Sequence, residues 1–162
     1  MDKADIHCRG SKEAFMGSIW SQTCSIGRRP PLRGHLKTQA AVVGAGMAGV
    51  LTAYALQQAG LSVVVLEAGR IAGGQTQNTT AKITSQHGLI YSRLIQSFGE
   101  ETARRYAKAN QDAVRAYQDL IDVQGISCDW EERCAYLYGP DVTVLQEEAE
   151  AARRLGLPAS FT

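Results

Sequence analysis

Proline is scarce in this 162-residue chain, with 4 residues against 16 glycines, and aromatic residues make up only 7%. With 44% hydrophobic and 20% charged residues, the composition excludes wholesale disorder and collagen-like repetition. The length allows one ordinary domain, or one domain plus part of a second. A strong charge of either sign is also missing, since 17 Lys and Arg face 16 Asp and Glu. Residues 1–38 hold 7 basic against 3 acidic residues, and residues 39–162 hold 10 against 13. A basic leader on a mildly acidic body makes no nucleic-acid groove, so no nucleic-acid partner is expected.

Four cysteines, Cys8, Cys24, Cys128 and Cys134, include no Cys-x-x-Cys pair. The chain is neither short nor cysteine-dense, so reduced, structural thiols and a cytoplasmic location are expected. His7, His35 and His87 lie far apart, so no metal site is expected. Met1–Asp5 offers no positive region leading into an apolar core, and the sequence predicts no signal peptide. No charged residue occurs from Thr38 to Leu66, which is long enough to suggest a membrane span. That run is broken by Gly44, Gly46, Gly49 and Gly60, carries Gln57 and Gln58, and changes period midway. It reads as strand, turn, helix and strand, not as a span.

Residues 1–38 keep no sustained period and end in Arg28-Arg29-Pro30-Pro31, an extended leader with a short structured turn around Phe15–Trp20. Ala40–Val43 is a short apolar run ending at glycine, as a buried parallel strand does. Met47–Ala59 carries helical spacing, with Gly60 where the helix stops. Leu61–Leu66 reads as a second buried strand, parallel and adjacent to the first. Residues 68–87 form a polar, glycine-bearing loop. Beyond it the pattern is helical: Ile90, Leu94, Ile95 and Phe98 close at Gly99, and Ala103 to Ile121 continue the period. Cys134–Tyr138 is expected as a strand, and Pro140 to Arg154 as a further helix stopped by Gly156 and Pro158. Carboxylate pairs such as Glu131-Glu132 and Glu147-Glu148 are expected to be solvated.

The chemistry lies in Gly44-Ala45-Gly46-Met47-Ala48-Gly49. Gly44 permits a tight turn off the strand, Gly46 lets a pyrophosphate approach the backbone, and Gly49 lets the helix pack closely on the sheet. The helix then points its free N–H groups at the phosphates. Glu67 ends the second strand 23 residues beyond Gly44, near the ~20 expected of a carboxylate on a ribose hydroxyl. A free 2′-hydroxyl leaves NAD and FAD open. Arg70 and Gly73-Gly74 then place flexible backbone where a longer cofactor would extend.

Val42–Gly49 with Leu66-Glu67-Ala68-Gly69-Arg70 resembles the N-terminus of FAD-dependent oxidoreductases of the D-amino-acid-oxidase/glycine-oxidase superfamily. Asn78–Tyr91 is similar to the branch whose members often end in a Rieske [2Fe–2S] domain, and the resemblance runs from about Ser18 through Phe161. It implies FAD as cofactor and hydride transfer from an amine or amino-acid-like small molecule. It also implies that Gly46 and Met47 meet the pyrophosphate, that Glu67 holds the ribose, that Ala68 and Arg70 belong to the cofactor-binding residues, and that Gly74, Gln75, Thr76, Thr79 and Thr80 pass the flavin side. No catalytic base is identified; Lys82 and His87 are the ionisable groups nearest the flavin loop in sequence. The Cys and His set of a Rieske centre is absent from this stretch.

The expected fold class is therefore α/β. A Rossmann-like FAD-binding βαβ unit leads into a mainly helical segment and the start of a substrate domain, divided as 1–38, 39–127 and 128–162. Members of the family are more than twice this long, so the chain is expected to be an N-terminal portion without turnover of its own. A non-catalytic dinucleotide-binding fragment and an NAD-binding protein are the alternatives. The oligomeric state is not legible.

Overall fold

A computed structural model describes residues 18–23 and 26–162. His7, Cys8, Cys24 and the Phe15–Gly17 part of the expected turn lie outside them. The chain divides into two compact units, the first up to Thr80 and the second from Ala81.

In the first unit, a five-residue helix α1 (Ile19–Thr23) precedes strand β1 (Ala40–Val43), helix α2 (Met47–Gln58) and strand β2 (Val63–Leu66). β1 and β2 pair in parallel, with Ala40 opposite Val63 and Val43 opposite Leu66. Gly44 extends the ladder by donating its N–H to the Leu66 carbonyl at 2.7 Å, then turns the chain at φ +98°. The helix therefore starts within three residues of the strand's end. Gly60 stops it in the left-handed region, as its position in the sequence implies.

The strands are not buried as expected. Val43 is 85% exposed, and Val65 and Leu66 are also exposed. No residue of α2 is buried, and Met47 and Val50 face solvent. Ala45 is the one buried residue of this unit among the described residues. An apolar strand run implies cover on both faces, and two strands with one helix supply too little surface to provide it.

In the second unit, helices α3 (Tyr91–Phe98), α4 (Glu100–Gln124) and α5 (Val142–Arg154) build the core. Tyr91, Ala103, Ala107, Ala151, Ala152, Leu155 and Leu157 are buried together, and the small residues let the helices approach closely. Tyr91 meets Tyr106 edge-on with ring centroids 6.4 Å apart. Gly99, at φ +78°, separates α3 from α4 as expected. Asp141 caps α5 by accepting from the Val144 N–H at 3.2 Å, so that helix starts just after Pro140.

Two expectations fail here. Cys134–Tyr138 forms no strand, and Tyr136 and Tyr138 stand 68% and 89% exposed. A strand exists only through pairing, and among the described residues nothing pairs with this segment. Glu148 is not solvated but 4% exposed. It lies three residues after Leu145 and three before Ala151, on the face α5 buries. Its Oε1 accepts the N–H of Ile90 at 2.9 Å and of Tyr91 at 2.8 Å, and Oε2 accepts that of Ser92 at 2.9 Å. A carboxylate on α5 thus satisfies the orphan donors that open α3, where no local side chain caps the helix. Cys128 and Cys134 are free thiols, exposed instead of packed. Among the described residues, no helix is long and apolar enough to cross a membrane.

Candidate functional site

The site is built where β1 hands over to α2. Gly49 sits one helical turn into α2 with its Cα against the strand end. A Cβ there would lie 1.9 Å from the Gly44 carbonyl oxygen and 3.1 Å from its carbon. Only glycine fits, because the obstructing atoms are backbone. Gly46 is the N-cap of α2 and, lacking a side chain, caps nothing itself. Two donors at the turn, the N–H groups of Ala45 and Met47, are met from elsewhere in the same unit.

Glu67, just beyond β2, turns back onto the glycine turn. Its Oε2 accepts the Ala45 N–H at 2.8 Å, and its Oε1 accepts the Gly69 N–H at 2.8 Å. These bonds, the Ala45 one foremost and the Gly69 one next, hold its carboxyl below the ordinary range against the opposing effect of desolvation, with the Ala68 backbone adding to them. The carboxylate is solvent-exposed, so it stays charged at neutral pH and keeps acceptor capacity beyond these bonds.

The loop after Glu67 folds over the same turn. The Ala72 N–H donates to the Ala45 carbonyl at 2.9 Å, and Gly73 closes a tight turn by donating to the Arg70 carbonyl at 2.9 Å. A 3-10 turn, Gln75–Asn78, follows with Gly74 before it and Thr79 after it. From this turn the Thr76 hydroxyl accepts the Met47 N–H at 3.0 Å, at the N-terminus of α2, and it would stand 3.4 Å from a Cβ on Gly46. Gln77 and Asn78 brace the turn by donating to the carbonyls of Gly73 and Gly74.

The structure thus gathers Gly44, Gly46, Met47, Gly49, Glu67, Ala68 and Thr76 at one turn, with Gly74 and Thr79 flanking the segment that carries Thr76. Arg70, Gln75 and Thr80 are exposed on the loop. Lys82 and His87 belong to the second unit, where His87 Nε2 pairs with Asn110 Oδ1 at 3.3 Å. Sequence reasoning missed Ala45, whose N–H and carbonyl both anchor the site, because backbone groups leave no side-chain signal. It also missed Ser18 and Trp20. The Ser18 hydroxyl donates to the Gln77 carbonyl, and Trp20 Nε1 donates to the Thr79 carbonyl at 2.7 Å.

A carboxylate, a helix N-terminus and a side-chain-free backbone turn suit a ribose and its attached pyrophosphate. The arrangement fits the adenosine half of a dinucleotide.

The profile of a family described as FAD dependent oxidoreductase matches residues 39–161. A Bacillus subtilis protein named as a Rieske 2Fe-2S iron-sulfur protein, YhfW, is 36% identical over 143 residues, covering 86% of this chain and 28% of that protein. The tRNA 5-methylaminomethyl-2-thiouridine biosynthesis bifunctional protein MnmC of Ectopseudomonas mendocina is 33% identical over 81% of this chain and 21% of its own length. Gamma-glutamylputrescine oxidoreductase of Escherichia coli is 28% identical over 71% of this chain and 28% of its own length. The chain spans between a fifth and three tenths of the length of these curated relatives. No solved structure matches it significantly.

Proposed function

Because the chain belongs to the FAD-dependent oxidoreductase family, we propose that β1, α2 and β2 are the Rossmann-like unit that holds the adenosine half of FAD. One observation carries the reading: the Glu67 carboxylate lies against the glycine turn, on the Ala45 N–H at 2.8 Å. Gly46 and Met47 face the pyrophosphate, Glu67 receives the ribose hydroxyls, and the segment from Gly74 to Thr80 borders the flavin half. Residues 39–127 form the FAD-binding portion, and residues 128–162 begin the substrate side.

FAD, when bound, supplies the acceptor for a hydride from carbon beside an amine nitrogen. The printed names of two relatives, γ-glutamylputrescine and 5-methylaminomethyl, both contain such a nitrogen and support an amine or amino-acid-like substrate. The residues present bind and orient. The glycine turn fixes the phosphates, Glu67 fixes the ribose, and Thr76 ties the flavin-side loop to the start of α2. The open faces of β1, β2 and α2 support weak cofactor retention and no turnover by residues 1–162 alone. The free thiols Cys128 and Cys134 support a cytoplasmic location.

The test is titration of purified residues 1–162 with FAD, ADP and NAD by calorimetry, beside the Glu67→Gln variant. FAD and ADP are expected to bind and NAD to bind less tightly. Glu67→Gln is expected to weaken FAD and ADP about 10- to 100-fold, the worth of charge-assisted hydrogen bonds. Tighter binding of NAD than of FAD, or affinities unmoved by Glu67→Gln, would refute the assignment. Amine-dependent reduction of an artificial acceptor by residues 1–162 would overturn the statement that this stretch alone does not turn over.

A further inference from the structure

α1 lies far outside the dinucleotide motif, yet it is fastened to the loop that completes the site. Five residues make a helix too short to persist without tertiary support. The support comes from two directed bonds across 59 residues of sequence: Ser18 Oγ to the Gln77 carbonyl and Trp20 Nε1 to the Thr79 carbonyl at 2.7 Å. Both acceptors are backbone carbonyls of the segment that carries Thr76. Ser18 Oγ also accepts the Trp20 N–H at 3.3 Å, which draws the two donors into one turn.

Between this turn and the loop lies a cleft of about 550 Å³, walled by Ile19 and Trp20 on one side and Asn78, Thr79 and Thr80 on the other. The cleft opens to solvent beside the two bonds, so the segments meet at these hydrogen bonds at the edge of an open depression. Trp20 keeps 39% of its surface exposed although its indole N–H is committed, and Ile19 is 60% exposed. Among the described residues, α1 is joined to the loop by these bonds with little burial of Ile19 or Trp20, and the bonds fix the orientation of the peptide groups from Gln77 to Thr79.

We propose that Ser18 and Trp20 are positioning residues of the cofactor site, clamping the 77–79 backbone so that the Gly74–Thr80 loop is set before the flavin half of FAD arrives. This rests on the reading of that loop as the flavin-side segment. The clamp bonds residues 77 and 79 and meets the Gly44–Glu67 turn only through the neighbouring Thr76–Met47 bond, so its loss acts first on the flavin half and far less on the adenosine half. Preorganising a loop raises affinity by removing an ordering cost from the binding step.

The test uses residues 1–162 and the variants Ser18→Ala, Ser18→Thr and Trp20→Phe, each titrated with ADP and with FAD, with the visible spectrum of bound flavin recorded. Ser18→Ala and Trp20→Phe are each expected to weaken FAD about threefold to tenfold, the span of one hydrogen bond. ADP affinity is expected to stay within about twofold, because ADP lacks the flavin half. Ser18→Thr keeps the hydroxyl and restores FAD affinity, and the flavin band shape changes in the two weakened variants alone. Equal weakening of ADP and FAD would assign α1 a purely structural role and overturn the inference, as would FAD affinity unchanged in both variants. Failure of the unsubstituted chain to bind either ligand would instead refute the cofactor reading itself, and the inference would fall with it.

Discussion

Glu148→Gln isolates the charge of one buried carboxylate while keeping its volume. In the native arrangement Oε1 accepts from Ile90, Tyr91 and the Gln86 amide, the last at 3.1 Å, and Oε2 accepts from Ser92. Glutamine retains one acceptor. With its carbonyl in the Oε1 position, its NH₂ faces the Ser92 N–H across 2.9 Å, donor against donor. One charge-assisted bond is lost, worth about 1.5–3 kcal/mol, and those remaining become neutral and about half as strong. The expected cost is about 3 kcal/mol, a large share of the roughly 5–15 kcal/mol that holds an ordinary domain together. The two tryptophans permit a measurement in each unit, since Trp20 lies in the first and Trp130 in the second. In a Trp20→Phe background, urea unfolding followed by Trp130 fluorescence should move its midpoint down by about 2 M, taking a slope near 1.5 kcal/mol/M. In a Trp130→Phe background, Trp20 should report an unchanged first transition. A Trp130 midpoint within about 0.3 M of the parent, which is about 0.5 kcal/mol at that slope, would mean that Glu148 does not cap α3 in solution.

Gly49→Ala places a Cβ 1.9 Å from the Gly44 carbonyl oxygen, so α2 must move off β1. The expected result is a loss of about 1–3 kcal/mol in thermal unfolding of the first unit together with loss of ADP binding, and parental values of both would refute the close approach. Glu67 has its carboxyl held low by the Ala45 and Gly69 N–H groups, so its contribution is fully present above the ordinary carboxylate range and is lost as pH falls through the lowered value. Carboxyl-carbon NMR, assigned with Glu67→Gln, should place its titration below that of glutamate in an unstructured reference peptide; a midpoint at or above the reference would refute the two bonds.

The strand–helix–strand order was readable because its signals are local. Hydrophobic period switches at Gly44–Gly49, and Gly60 and Gly99 stop helices at positions that steric freedom dictates. Glu67 was singled out by spacing and Thr76 through the resemblance of its loop to a known family, and the structure brings both to the glycine turn. What escaped depends on partners distant in sequence. Cys134–Tyr138 is a short apolar and aromatic run of the kind strands use, but composition cannot supply a neighbour to pair with. Strand apolarity implied burial, yet cover is a property of surrounding elements and not of Ala40–Val43. Glu148 did carry a signal, since Leu145, Glu148, Ala152 and Leu155 share one helical face; reading the glutamate pair as solvated ignored that phase. Ser18 and Trp20 sit in a leader without period, and nothing local indicates that their donors reach residues 77 and 79.

Glu67 and Glu148 solve the same problem at two places. Each is a carboxylate from a later element that accepts backbone N–H groups left open at a turn or at the first turn of a helix. Their surroundings separate their roles. Glu148 is enclosed, and its oxygens serve four donors of the chain, so displacing them would leave the buried Tyr91 N–H and its partly buried neighbours unsatisfied. That site is committed to structure. Glu67 is open to solvent, and each of its oxygens accepts one backbone N–H, which leaves acceptor capacity on both. A further donor on that capacity leaves no buried group unpaired and keeps the Ala45 bond that shapes the turn. A carboxylate so placed can hold the glycine turn ready and still accept a ligand. What separates the two glutamates is therefore burial and spare acceptor capacity, since both make the same kind of bond.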